Sequence, residues 1–252
     1  MVDEVRYERV GAAAVLTIDR DARRNAVDGR AAQALLDGYE AFEADDTAHV
    51  LVLTGAQGTF CAGADLTDIA SLAPRVWSAD GPMGFTRRVP TKPTIAAVEG
   101  YAVAGGFELA LWCDLRIVGR GAQLGFLERR WGVPLIDGGT QRLPRVVGLG
   151  RALELCLTGR LVDSSEAHAI GLANEIVDDG AALARALELA ELIAGFPAPT
   201  MLADRAAMHA GLGRPLEDGL RIEARLGIPT VVVGAEGAAR FAAGAGRGGS
   251  SA

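Results

Sequence analysis

Four short apolar runs, separated by stretches of helical character, constrain the fold of this chain more than any other feature. Ala13–Ile18, His49–Thr54, Pro93–Val98 and Leu115–Val118 read as strands. Between the first two, Asp28 is placed to cap a helix reaching about Ala44, with Ala31, Leu35, Tyr39 and Phe42 at helical spacing. Gly105–Trp112 reads as a second helix. Strands and helices alternating at this spacing indicate an α/β domain with parallel pairing.

The remaining elements follow the same logic. Tyr7–Val10 precedes the first run across Gly11 and predicts a strand pair; 19–25 is a polar loop. Asp65–Leu72 reads as a short helix, and Ala73–Lys92, rich in proline and glycine, as irregular. Beyond Gly148 the chain turns mostly helical, over Gly150–Thr158, Ser164–Ile170, Ala181–Ala194, Thr200–Ala210 and Pro215–Leu226, with a short strand at Glu175–Val177. The expected division is a core over 1–195, a helical region over 196–243 and a flexible tail over 244–252.

With 252 residues, half of them hydrophobic, the chain has ample material for a core. A net charge of −7 argues against nucleic acid as a partner, because phosphate binding needs a basic face. No apolar stretch is long enough to span a membrane, and the charged start shows no signal-peptide pattern. Cys61, Cys113 and Cys156 are odd in number and widely spaced, which suits buried thiols in a reducing compartment; a cytoplasmic location is expected.

Chemistry concentrates around two acids. Glu108 lies just inside the glycine-rich run G100-Y-A-V-A-G-G-F-E-L-A110, where a strand ends near Val98, a tight turn follows and a helix starts near Gly105. A first helical turn carries unpaired N–H groups and partial positive charge, so it can hold an oxygen anion. A second small-residue turn, F60-C-A-G-A-D-L66, follows the strand at His49–Thr54, and each turn has an N–H to offer one oxygen. Apolar neighbours would desolvate Glu108 and raise its pKa toward neutrality, although an acid in a first helical turn also simply complements the dipole. Taken alone, Glu128 reads as a salt-bridge partner of Arg129 or Arg130, and Asp137 as the N-cap of a helix beginning near Gly138. The glycine run lacks the G-x-G-x-x-G spacing; no P-loop or G-x-S-x-G pattern occurs, and His49, His168 and His209 are too scattered for a metal cluster.

The segments K92-P-T-I-A-A-V-E-G-Y-A-V-A-G-G-F-E-L-A-L-W-C-D-L-R116, G138-G-T-Q-R-L-P-R-V-V-G148 and F60-C-A-G-A-D-L66 resemble the signatures of the crotonase superfamily, the enoyl-CoA hydratases and isomerases. The likeness implies an α/β fold, a spiral of ββα repeats followed by a helical region that builds trimers, often paired into hexamers. It implies an acyl-CoA thioester as substrate, with coenzyme A as part of that substrate and no separate cofactor or metal. Residue by residue, it makes Ala64 and Gly105 the two oxyanion-hole donors and Glu108 and Glu128 the catalytic acids. Ala62, Asp65 and Leu66 match the coenzyme A channel, and the loop bearing Arg23, Arg24 and Ala26 matches the part that meets the nucleotide end. The implied reaction is hydration of a 2-enoyl-CoA to a 3-hydroxyacyl-CoA. Two departures stand out: Ala104 replaces a common glycine, and Ile136 and Asp137 stand where hydratases have glycine and alanine, which would reshape the acyl pocket. Dienoyl-CoA isomerases carry an aspartate near Asp137, so an isomerase is the alternative reaction, and a non-catalytic acyl-CoA-binding homologue the alternative class.

Overall fold

The structure is a computed structural model of one chain and describes residues 4–244. The glycine-rich tail expected from Gly244 lies, from residue 245 on, outside the described residues. Contacts divide the chain into two compact units, one ending at Ile193 and the other beginning at Ala194.

The strands of the first unit are β1 (Val5–Val10), β2 (Ala13–Ile18), β3 (Val50–Gly55), β4 (Thr94–Val98), β5 (Tyr101–Val103), β6 (Leu115–Gly119), β7 (Gln123–Gly125), β8 (Leu161–Asp163) and β9 (Glu175–Val177). Six form a sheet in the order β1-β2-β3-β4-β6-β9. Its β1/β2 pair is antiparallel across Gly11, and every later pairing is parallel, as the alternation of strands and helices predicts. The smaller sheet, β5-β7-β8, was not foreseen: β5 occupies most of the expected tight turn after Val98. Strands of three residues are too short to show a period of two, and their partners lie far along the chain.

The central runs are apolar on both faces, apart from the buried Thr17, Thr54 and Thr94, because both faces are covered. Leu16, Ile18, Leu51, Leu53 and Val98 pack with Leu35 and Phe42 of α1 (Gly29–Ala44). Val15, Val50, Val52 and Ile95 point the other way, onto Ala182, Ala186 and Ala190 of the helix Ala182–Ala194. Small residues four apart give that helix a flat stripe that can approach the sheet closely. Burying each such aliphatic side chain is worth roughly 1.5–3 kcal/mol. Asp28 caps α1 as the sequence predicts, accepting from Arg30 N at 3.0 Å and Ala31 N at 2.9 Å.

Four further helices complete this part: α2 (Gly105–Trp112), α3 (Gly139–Val147), α4 (Leu149–Thr158) and α5 (Ser164–Ala169), with Ala182–Ala194 as α6. The short helix expected from Asp65 is a 3-10 helix, Leu66–Arg75, with non-helical dihedrals at Asp68. In the second unit α7 (Ala198–Gly211) packs on α8 (Leu216–Gly227), and α9 (Val231–Ala242), which lies in the region expected to be helical but has no bounds of its own in the sequence reading, follows. No residue of α7, α8 or α9 is buried, and Met208, Leu216, Leu220 and Phe241 are exposed. Among the described residues no single helix is long and apolar enough to cross a membrane.

Candidate active site

Parallel strands β2, β3 and β4 all deliver their carboxyl ends to one side of the sheet, where ligand crevices form in open α/β folds. The three loops that leave there are laced together by backbone hydrogen bonds. Ala62 N donates to Arg24 O at 3.1 Å, Val27 N to Gly63 O at 2.8 Å and Asp65 N to Val27 O at 2.8 Å. On its other side the same turn meets β5, with Cys61 N on Tyr101 O at 2.9 Å and Val103 N on Cys61 O at 3.0 Å. Segment 61–65 is thus wedged between the Arg23–Ala26 loop and the turn that opens α2.

This lacing leaves donors over, among them one in each turn. Among the described residues, no hydrogen bond uses the N–H of Ala64 or of Gly105. The turns that carry them touch: a Cβ added at Gly63, where φ is +92°, would stand 3.0 Å from Gly105 N. Both turns therefore present free backbone donors within a few ångströms of each other, at the start of a helix whose dipole favours negative charge.

Behind the turns sit the acids. Glu108, on the first turn of α2, is 3 % exposed, and its Oε1 accepts from Asp137 N at 3.0 Å and Gly139 N at 2.7 Å. Burial pushes its pKa up to about 8, with Asp137 adding repulsion and the two N–H groups pulling the other way; Glu128 is close enough to add further repulsion. Glu128 lies in the 3-10 turn Leu127–Trp131 and is equally buried. The expected ion pair is present in part: Arg129 Nη2 stands 3.5 Å from Oε1, while Oε2 is buried without any hydrogen-bond partner. Burial raises the Glu128 pKa as well. A buried, unpaired carboxylate oxygen is costly, and native structures retain such atoms where they serve a purpose.

Arg23 and Arg24 are exposed at the rim, whereas Ala26 is buried. Ala62 is half-buried and Leu66 exposed. The Asp65 carboxylate turns inward, accepting from Thr67 N at 3.0 Å and Thr67 Oγ1 at 2.6 Å, with Arg20 at 3.4 Å; the Thr67 hydroxyl, more than Arg20, holds its pKa down.

Asp137 corrects the sequence reading. It does not cap α3: the N-cap is Gly138, in a left-handed conformation with φ of +102° and no side-chain cap. That turn swings Asp137 toward a distant segment, where Oδ1 accepts from Met83 N at 3.0 Å and from Thr86 Oγ1. Sequence reasoning missed Met83, Thr86 and Arg142. Arg142 donates to the Asp137 and Thr86 carbonyls, and nothing local to any of the three marks it. It also left Gly63 unremarked, although its place in a small-residue turn was a usable sign.

Free backbone donors at two touching turns, backed by two buried carboxyl groups, define an acid–base site suited to a substrate that develops negative charge on a carbonyl oxygen. The chain belongs to the enoyl-CoA hydratase/isomerase family, whose model matches residues 8–242. It is 34 % identical to the enoyl-CoA hydratase EchA19 of Mycobacterium tuberculosis over 88 % of this chain and 86 % of that one. Its fold matches the crystal structure of enoyl-CoA hydratase EchA1 from Mycobacterium marinum with a TM-score of 0.90 at 37 % identity, covering 95 % and 96 % of the two chains. A putative enoyl-CoA hydratase from Thermobifida fusca, solved in complex with CoA, superposes with a TM-score of 0.82 at 30 % identity over 93 % of this chain and 95 % of that one. The crotonase-like α/β spiral with a helical C-terminal region is therefore the fold of this protein.

Proposed function

We propose that this protein is an enoyl-CoA hydratase, adding water across the double bond of a 2-enoyl-CoA to give a 3-hydroxyacyl-CoA. The observation that carries the reading is the pairing of Glu108 and Glu128, two buried acids of raised pKa, behind the free N–H groups of Ala64 and Gly105. The thioester oxygen accepts from both N–H groups, which draws electron density from Cβ and stabilises the enolate that forms as water attacks. In its ionised form Glu108 takes the proton of the attacking water; Glu128, which holds its proton more readily than an ordinary glutamate, delivers one to Cα, and transfer of a proton from Glu108 back to Glu128 through water resets the pair. Arg23 and Arg24 at the rim, with Ala62 and Leu66, line the approach for coenzyme A, and the buried Ala26 and Asp65 support that wall from behind; a relative solved in complex with CoA shares this fold. The substrate brings coenzyme A with it, and the chemistry asks for no separate cofactor.

A trimer or hexamer is part of the same proposal. Helices α7–α9 bury no residue while exposing large apolar side chains, which suits a surface that another subunit covers.

The deciding experiment is turnover of 2-enoyl-CoA thioesters of graded chain length in heavy-oxygen water. Hydration puts the label on the product's 3-hydroxyl. A product formed without label would instead identify an isomerase, and no turnover on any thioester would remove the hydratase reading.

A further inference from the structure

Asp137 stands between two parts of the site that the chain itself does not connect. Its peptide N–H reaches Glu108 Oε1 at 3.0 Å, while its carboxylate takes Met83 N at 3.0 Å and the Thr86 hydroxyl. The turn it grips is built for the contact: a Cβ at Gly81, where φ is +98°, would fall 2.3 Å from Thr86 Oγ1 and 3.2 Å from Asp137 Oδ1. Arg87 Nη2 on Ile136 O at 3.2 Å and Arg142 on the Thr86 and Asp137 carbonyls close the same seam. Met83 is 1 % exposed, and its Cε and Sδ lie 3.1 Å from where a Cβ on Gly105 would be. The Met83 thioether therefore covers the residue that offers the free N–H at the head of α2.

We propose that Asp137 is a positioning residue: its peptide N–H orients Glu108 while its carboxylate clamps the Met83–Thr86 turn over Gly105. The inference rests on the hydratase reading of the site and adds a residue that acts through two others without touching the reacting atoms. The same carboxylate sets the charge beside Glu108. Asp137 and Glu128 oppose ionisation of Glu108, whereas Arg142, packed against Asp137, favours it; burial raises the pKa of Asp137 itself, while the Thr86 hydroxyl, the Met83 N–H, Arg87 and Arg142 pull toward its ionised form. A clamp with a negative charge thus keeps Glu108 a weaker acid than a neutral clamp would.

Asp137→Asn separates the two roles, for it keeps an oxygen acceptor for Met83 N–H and Thr86 while removing the charge. Asp137→Ala removes both. The midpoint of Glu108 titration is followed by carbon NMR of protein labelled at glutamate side chains, with its signal assigned by its loss in Glu108→Gln. Turnover of a 2-enoyl-CoA is measured in parallel. In Asp137→Asn the Glu108 midpoint moves to lower pH. Asp137→Ala loses about tenfold or more in kcat with a smaller change in KM, as expected for a misplaced acid, and Asn recovers most of that loss. An unchanged Glu108 midpoint in Asp137→Asn overturns the proposal, as does wild-type kcat in a folded Asp137→Ala. Where Asp137→Ala fails to fold, the Asn titration decides alone. Should the wild-type protein turn over no 2-enoyl-CoA, the hydratase reading fails while the titration still tests the role of Asp137.

Discussion

Gly63 and Gly105 lie against each other with no room for a methyl group between them: a Cβ on Gly63 would meet Gly105 N and Val103 O at 3.0 Å and Ala104 Cβ at 2.8 Å. The residue after Gly63 and Gly105 itself are the two proposed oxyanion donors, so this contact fixes the gap that the thioester oxygen must fill.

Gly63→Ala is expected to spread the two turns. The left-handed φ of +92° and the clash together cost roughly 1–3 kcal/mol of stability. If one donor is displaced, kcat on a 2-enoyl-CoA falls on the order of 10²-fold. Urea unfolding and steady-state kinetics read the two effects separately, and full activity in this variant would refute the shared oxyanion site.

Ala104, in contrast, adopts φ of +53° and ψ of −128°, a conformation that suits glycine far better than a residue with a Cβ. Ala104→Gly relieves that strain, partly offset by the added freedom of the unfolded chain, for a net gain of about 1 kcal/mol. It also removes the methyl that a Cβ at position 63 strikes. Gly63→Ala therefore does less damage in the Ala104→Gly background, and a double-mutant cycle on unfolding free energy shows a coupling of about 1 kcal/mol. Strict additivity would show that the methyl contact is not what the glycine avoids.

What the sequence makes legible here is what is decided locally. Asp28 announces α1 because a cap acts on N–H groups two and three residues away. Gly105–Trp112 matches its expected bounds because a glycine turn and a dense apolar run bracket it. Asp137 misleads for the converse reason: its position before a helix suggests a cap, but the groups that claim its carboxylate lie 54 and 51 residues upstream. Met83 and Thr86 fall in a stretch of proline and glycine with no periodicity to reveal which side chain points inward. The pairing of Glu108 with Glu128 likewise came through family resemblance, since each acid taken alone has an adequate structural explanation.

Glu108 makes stability depend on pH. Its pKa is about 8 in the folded chain against an ordinary 4.5, so between those values the folded state holds a proton that the unfolded state has released. Stability then falls as pH rises through this window and levels off above it. Glu108→Gln keeps an oxygen for the N–H groups of Asp137 and Gly139 but cannot ionise. It should match the wild type near pH 4 and exceed it at pH 9 by on the order of a few kcal/mol. Denaturant midpoints across pH measure this, and parallel curves for the two proteins would show that Glu108 is not the group responsible.

Glu128 sets function against stability most directly. One of its oxygens is buried without a hydrogen-bond partner, and Arg129, a side chain 37 % exposed, stands 3.5 Å from the other. A pair so long and half-open contributes about 0–1 kcal/mol, less than the cost of keeping a carboxylate out of water. Glu128→Leu fills a similar volume with no group to desolvate, so its thermal midpoint should rise. Glu128→Gln preserves the shape but cannot deliver a proton, so kcat should fall about 10²–10⁴-fold. A residue kept for packing would give the opposite pattern: lower stability in Glu128→Leu and near-normal turnover in Glu128→Gln. Only a group retained for its proton yields a more stable protein and a slower enzyme from the same position.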